Sequence, residues 1–155
     1  MATIKSLTGA GWLKDADDNF QSLADLAGLH VTKFTFDAEA DDNTAETPVS
    51  NKTVAAHPMA VSIPDNAIVI SGHVDVITAV TSDGSATVAI HLANANDLLT
   101  ATALTGLTEG KQLPMAAVKT TPIKLAAEKA VTVTVGTAAL TAGKFDGYIV
   151  WMEGA

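Results

Sequence analysis

The sequence predicts a mainly β protein: a β-sandwich or jelly-roll-like domain carrying an N-terminal arm that contains a short helix. Three observations carry that prediction. Apolar residues recur with period two at Ile68, Ile70, Val74, Val76 and Val80, as in a half-buried strand. Many short strand-like runs are separated by turn signals such as Pro64-Asp65-Asn66 and Ser82-Asp83-Gly84. The 155 residues are 48% hydrophobic and 17% charged, enough to bury a core without a metal or disulfide staple.

From the N-terminus, residues 1–28 read as the arm and residues 29–155 as the β-sandwich domain. Ser6 to Leu13 carries Trp12 directly behind Gly9 and Gly11, which suits an anchor. Asp15 to Ala27 reads as a short helix. Asp15, Asp17 and Asp18 favour its N-terminal dipole, Phe20, Leu23, Ala24 and Ala27 share one face, and Gly28 caps the end. So short a helix is marginal alone and must dock on its own body or on a partner. Trp12, Leu13, Phe20 and Leu23 are therefore the residues expected to touch a neighbouring subunit or a larger assembly.

Val31 to Phe36 is strand-like, with Phe34 and Phe36 on one face. Asp37 to Pro58 reads as a polar acidic loop with a short strand near Lys52 to Ala55, and Met59 to Ile63 as the next strand. The long alternating run then reaches Val80. Across Ser82-Asp83-Gly84 it is expected to pair as a hairpin with Ala86 to Leu92, Val76 opposite Ile90, because that register keeps one face apolar. Asn96 to Leu104 reads as a short connection with a helical turn. Ile123 to Leu125, Val131 to Val135 and Phe145 to Trp151 complete the strands. Phe145, Ile149 and Trp151 share a face that core packing explains better than a stacking platform for sugars or bases.

Charge narrows the partners. Nine Lys and no Arg stand against 17 acids, a net charge of −8. Nucleic acid is not expected as a partner, because Arg forks and counterion release supply that affinity. Before residue 60, four Lys face nine acids; beyond it, five face eight. The acidic excess thus sits in the first part, as in a solvated arm or loop. No cysteine is present, which removes disulfides and thiolate sites. The first residues lack the pattern of a secretory leader, and the longest apolar-rich stretch, Ala67 to Val80, is interrupted and short of the roughly 20 residues that span a bilayer. A soluble chain with no membrane partner is the expectation.

No catalytic set is expected. There is no nucleophile elbow, phosphate loop, dinucleotide fingerprint or His-Glu-x-x-His. The acidic runs from Asp15 and Asp37 fail the EF-hand pattern. The sixth and twelfth positions hold Phe20 and Leu26 in one, Asp42 and Pro48 in the other, where Gly and Glu are needed. The expected hairpin would set Asp75 opposite His91 with His73 diagonal, a set that could hold a divalent ion. A polar cross-strand pair facing water or a neighbouring subunit is the simpler reading, so neither metal nor cofactor is expected. Asn51-Lys52-Thr53 matches a glycosylation acceptor but means nothing without a secretory leader.

The run Ile63-Pro64-Asp65-Asn66-Ala67-Ile68-Val69 continues into Val74 to Thr78, Gly84 to Ile90, Thr121 to Leu125, Val131 to Val135 and Leu140 to Phe145. Together these resemble small β-rich virion structural proteins of tailed bacteriophages, of the capsid-decoration or cement type. The resemblance covers Leu29 to Met152 and rests on strand and turn patterns. It implies a non-enzymatic protein, often trimeric, that sits on the capsid exterior of the virion, binds the major capsid protein and stabilises the assembled head. It carries over no functional residues. The arm and Asp37 to Glu46 are where this chain departs from the pattern. Apolar strand edges such as Val131 to Val135 add to the expectation of a homotrimer. A head-fibre or tail component, or a carbohydrate- or receptor-binding β-sandwich, is the alternative.

Overall fold

Alternating patterns of this kind bury one face of each strand, so two sheets must meet across a shared core. A computed structural model shows that arrangement. It describes residues 6–8, 12–14, 20–22, 28–42, 47–95, 97–115 and 121–154. The chain divides into two compact units, Met1–His30 and Val31–Ala155.

In the first unit β1 (Ser6–Thr8), β2 (Trp12–Lys14) and β3 (Phe20–Ser22) form an antiparallel three-stranded sheet in that order. Trp12 lies opposite Thr8 and Ser22, and Lys14 opposite Phe20. The helix expected over Asp15 to Ala27 is thus corrected where the structure describes it, because Phe20–Ser22 is a strand. Pairing with Trp12–Lys14 gives those residues cross-strand backbone partners, whereas an isolated helix of that length gains too little to nucleate. The rest of that helix lies outside the described residues.

In the second unit β4 (Leu29–Asp37), β6 (Ile68–Thr81), β9 (Gln112–Pro114), β10 (Ile123–Lys124) and β12 (Ala142–Met152) make one antiparallel sheet. Its order is β10, β6, β12, β4, with β9 also on β6. The second sheet is β5 (Ala56–Ile63), β11 (Lys129–Gly136), β7 (Thr87–His91) and β8 (Leu99–Ala103) in that order. Phe34, Phe36, Val74, Val76, Phe145 and Ile149 from the first sheet meet Ile63, Val88, Ile90, Val131, Val133 and Val135 from the second in a single core cluster. The expected core face of the last strand is there, with Phe145 and Ile149 fully buried. Trp151, beyond a register shift, is half-buried and donates Nε1–H to the Thr32 hydroxyl.

Several local expectations change. The β6–β7 hairpin does not form: β6 pairs with β12, and β7 with β11 and β8 in the opposite sheet. Ser82 to Ala86 is a crossover between layers, so Val76 and Ile90 reach one core from opposite sides. Alternation shows which face is buried and is silent on which strand lies beside it. Val131 to Val135 is no edge, since β11 is flanked by β5 and β7. Lys52 to Ala55 is a turn, and the expected helical connection instead holds β8 followed by a 3-10 turn at Leu104–Gly106. The β7–β8 link is held by Asp97, whose carboxylate accepts the backbone N–H groups of Leu92, Ala93 and Asn94 at 2.8, 2.9 and 2.8 Å.

Candidate contact surfaces and polar clusters

Because Phe34, Phe36, Phe145 and Ile149 point inward, their neighbours Lys33, Thr35, Asp146 and Tyr148 lie on the outer face of the first sheet. Register builds two polar rows across it. Pro114, His73 and Tyr148 lie side by side, and so do Gln112, Asp75 and Asp146. The His73 and Tyr148 rings stack, centroids 4.8 Å apart and 13° from parallel, and Lys33 Nζ lies 5.6 Å from the Tyr148 centroid.

Asp146 anchors this face. It lies directly across from Asp75, a like-charge pairing that is unfavourable by itself. Lys33 Nζ compensates at 2.7 Å, and Thr35 donates its hydroxyl to Asp146 at 2.6 Å. Burial pushes the Asp146 carboxyl up, but the bonds from Lys33 and Thr35 outweigh it and hold the group below its ordinary value. The hydrogen bond to Asp146 raises Lys33 in turn. Asp37 is likewise lowered, first by Lys144 at 3.0 Å. By contrast, the outer face of the second sheet carries mostly small residues beside His91: Ala56, Pro58 and Ala60 on β5, Thr132 and Thr134 on β11, Thr87 and the buried Ala89 on β7.

Of the expected contact residues, Trp12 and Leu13 fall on β2 and Phe20 on β3. Leu23 lies outside the described residues. The His73, Asp75 and His91 set is not assembled: the first two are on β6, while His91 lies opposite Thr132 in the other sheet. Its Nδ1 is 3.5 Å from the Thr134 hydroxyl. Among the described residues, no group of three His, Cys, Asp or Glu is placed to hold a metal ion. No helix among them is long and apolar enough to cross a membrane.

A cluster that the sequence did not announce sits where the loop before β5 folds back. His57 is fully buried; its Nε2–H donates to the Thr53 carbonyl at 2.9 Å, and its Nδ1 lies 3.4 Å from Asp42 Oδ2. Asp42 also accepts the Val49 N–H at 3.1 Å, and a bridge joins Asp41 to Ser50. Asn51 is buried here too, its Nδ2 donating to the Asp37 carbonyl, so its amide is closed to a glycan. Asp37, Asp41, Asp42 and Asn51 line a cavity of about 170 Å³ with Pro58 and Met59. The sequence shows these only as polar residues in an acidic loop; burial comes from the fold.

No family model and no curated protein matches the sequence. Solved structures do match in fold. A chain in the acidic stable capsid structure of Helicobacter pylori bacteriophage KHP30 aligns with TM-score 0.56 and 11% identity, over 82% of this chain and 89% of that one. A chain in the capsid of Ralstonia phage GP4 aligns with TM-score 0.52 and 17% identity, over 81% and 86%. A chain in the cyanophage Pam1 capsid asymmetric unit aligns with TM-score 0.50 and 13% identity, over 97% and 92%. The likeness spans most of each partner, so those chains are of similar length to this one. The protein is a small β-rich chain with a fold found in three phage capsid structures.

Proposed function

We propose that this protein is a non-enzymatic virion component that binds the outside of the assembled head and stabilises it. The observation that supports this reading is the shared fold, over four-fifths or more of both chains, with chains in three phage capsids. A fold alone does not make a function, so the reading is an analogy that the surface must support. The surface agrees with it. One sheet face offers stacked rings and charge pairs, the other mostly small side chains, and both are forms suited to packing against protein.

In this reading the partner is the major capsid protein, the assembly is a homotrimer, and residues 1–28 form an arm distinct from the body at 29–155. Trp12, Leu13, Phe20 and Leu23 then supply contacts to the shell or to the neighbouring subunit. The test is direct. Virions of the phage that encodes this chain are purified, heads separated from tails, and the chain quantified on each. A high copy number on heads, removable by mild treatment and restored by adding the purified protein, is expected. Recovery on tails alone, or absence from particles, overturns the proposal.

A further inference from the structure

The dipeptide Asp-Gly occurs at Asp83-Gly84 and again at Asp146-Gly147, and the fold treats the two in opposite ways. Asp146 is buried, its carboxylate held by Lys33 Nζ at 2.7 Å and by the Thr35 hydroxyl at 2.6 Å. Gly147 lies opposite Val74, on a strand flanked by β6 and β4, with the Phe34 ring packed against it. Carboxylate and backbone are both fixed there. Asp83 and Gly84 are exposed, at a bend between β6 and β7, and among the described residues nothing binds the Asp83 carboxylate. One clip restrains this turn. Ser82 Oγ accepts the Gly84 N–H at 3.1 Å and donates its own proton to the Ala139 carbonyl at 2.6 Å.

We infer that Asp83 is a site of spontaneous isoaspartate formation, a modification that loosens the junction where the chain changes sheets. The Gly84 backbone nitrogen attacks Asp83 Cγ and a new N–Cγ bond closes a succinimide ring. One carboxyl oxygen leaves as water, taking the amide proton and a proton from solvent. Water then reopens the ring at either carbonyl. Attack at Cγ restores aspartate, whereas attack at the main-chain carbonyl leaves Gly84 joined through Cγ and frees the former backbone carbonyl as a carboxylate. No oxidant or cofactor enters. Gly84 admits the ring because it has no side chain to obstruct the attack and its backbone turns freely. The product carries an extra carbon in the main chain between Asp83 and Gly84. That lengthening falls where the crossover is pinned to the link between β11 and β12. Ser82 bonds Ala139 there, the Thr141 N–H donates to the Thr81 carbonyl at 2.8 Å, and a Cβ on Gly84 would lie 2.8 Å from Ala138 Cβ. Both links carry the chain between the two sheets, so a longer crossover pulls these contacts apart. The inference stands independently of the virion reading.

The test incubates the purified full-length protein at neutral pH, warm but below its melting transition. Each Asp-Gly site is then read by electron-transfer fragmentation, which separates isoaspartyl from aspartyl peptides. In the native protein isoaspartate should accumulate at Asp83 and not at Asp146, whereas in urea both sites should accumulate it. Ser82→Ala, which removes the clip, should speed accumulation at Asp83 about five-fold, the worth of one net hydrogen bond. Asp83→Glu should abolish it, because ring closure would need a larger ring. The isoaspartyl fraction, separated by ion exchange, should melt below the fresh protein. No isoaspartate at Asp83, equal accumulation at Asp146 in the native protein, an unchanged rate in Ser82→Ala, or an unchanged melting temperature of the isoaspartyl fraction overturns the inference.

Discussion

Gly147 sits between Asp146 and Tyr148, the residues that build the outer face of the first sheet, and its lack of a side chain is a packing requirement. A Cβ there would meet Phe34 Cε1 and Cζ at 2.1 Å. Ordinary contact begins at 3.4 Å, so the ring would have to retreat by about 1.3 Å. It has little room, being 3% exposed and edge-on to Phe145 at 6.4 Å, which itself stacks on Phe36 at 4.9 Å. Overpacking of a filled core costs about 1–3 kcal/mol, and this contact belongs at the upper end because the ring is held on every side. Ala recovers about 0.5–1 kcal/mol over Gly through backbone entropy. Gly147→Ala should therefore destabilise the protein by about 2 kcal/mol, or roughly 4–8 °C in melting temperature for a chain of this size. Urea unfolding gives the equilibrium value, and a cycle with Phe34→Leu identifies the cause: in that background the Gly147→Ala penalty should fall below about 0.5 kcal/mol. A neutral Gly147→Ala, or additive effects in the cycle, would refute the reasoning.

Three further outcomes are expected. Asp146 has a lowered carboxyl, so its pairing stabilises the fold above the ordinary carboxylate range and is lost as pH falls through the lowered value. Lys33 is raised, so its share is present below the ordinary lysine range and lost only as pH rises through the raised value. Urea midpoints at pH 3 and pH 7 should accordingly differ less in Asp146→Asn than in the parent protein; an equal or larger difference contradicts the assignment. Thr137 has φ of 71°, a left-handed conformation costly for a β-branched residue, so Thr137→Gly should stabilise by about 1 kcal/mol in thermal melts, and a loss would contradict that. Deleting residues 1–28 should leave the β-body folded by circular dichroism but strongly reduce co-sedimentation with capsids, and Trp12→Ala should cause a smaller loss. Collapse of the truncated protein, or wild-type occupancy without the arm, counts against the arm as the clamp.

Much of the fold was legible. The alternation of Val74, Val76 and Val80, the paired Phe34 and Phe36, and Phe145 with Ile149 all point to the buried faces that the structure shows. These patterns are local, set by a period of two along one strand, and need no knowledge of the neighbours. The turn at Pro64-Asp65-Asn66 was equally readable, and Asn66 there adopts φ of 59°, which Asn tolerates. The candidate sites were less so. His73, Asp75 and His91 looked like one constellation only under an assumed hairpin, and the cross-strand neighbours of Asp75 are Gln112 and Asp146, the latter 71 positions further along the sequence.

What the sequence determined by itself is the composition of each face: an all-β chain, an acidic surplus without Arg, and strands that are apolar on one side. Which strand lies beside which was decided only in three dimensions. A two-residue period is satisfied equally by a hairpin partner and by a strand brought from the far end of the chain, so pairing depends on how all the apolar faces can be covered together. The same collective burial placed β11 at the centre of its sheet and enclosed His57 and Asn51 under a loop whose sequence reads as solvated. A polar residue is buried or exposed according to what folds over it, and in this protein that cover comes from residues the local pattern does not name.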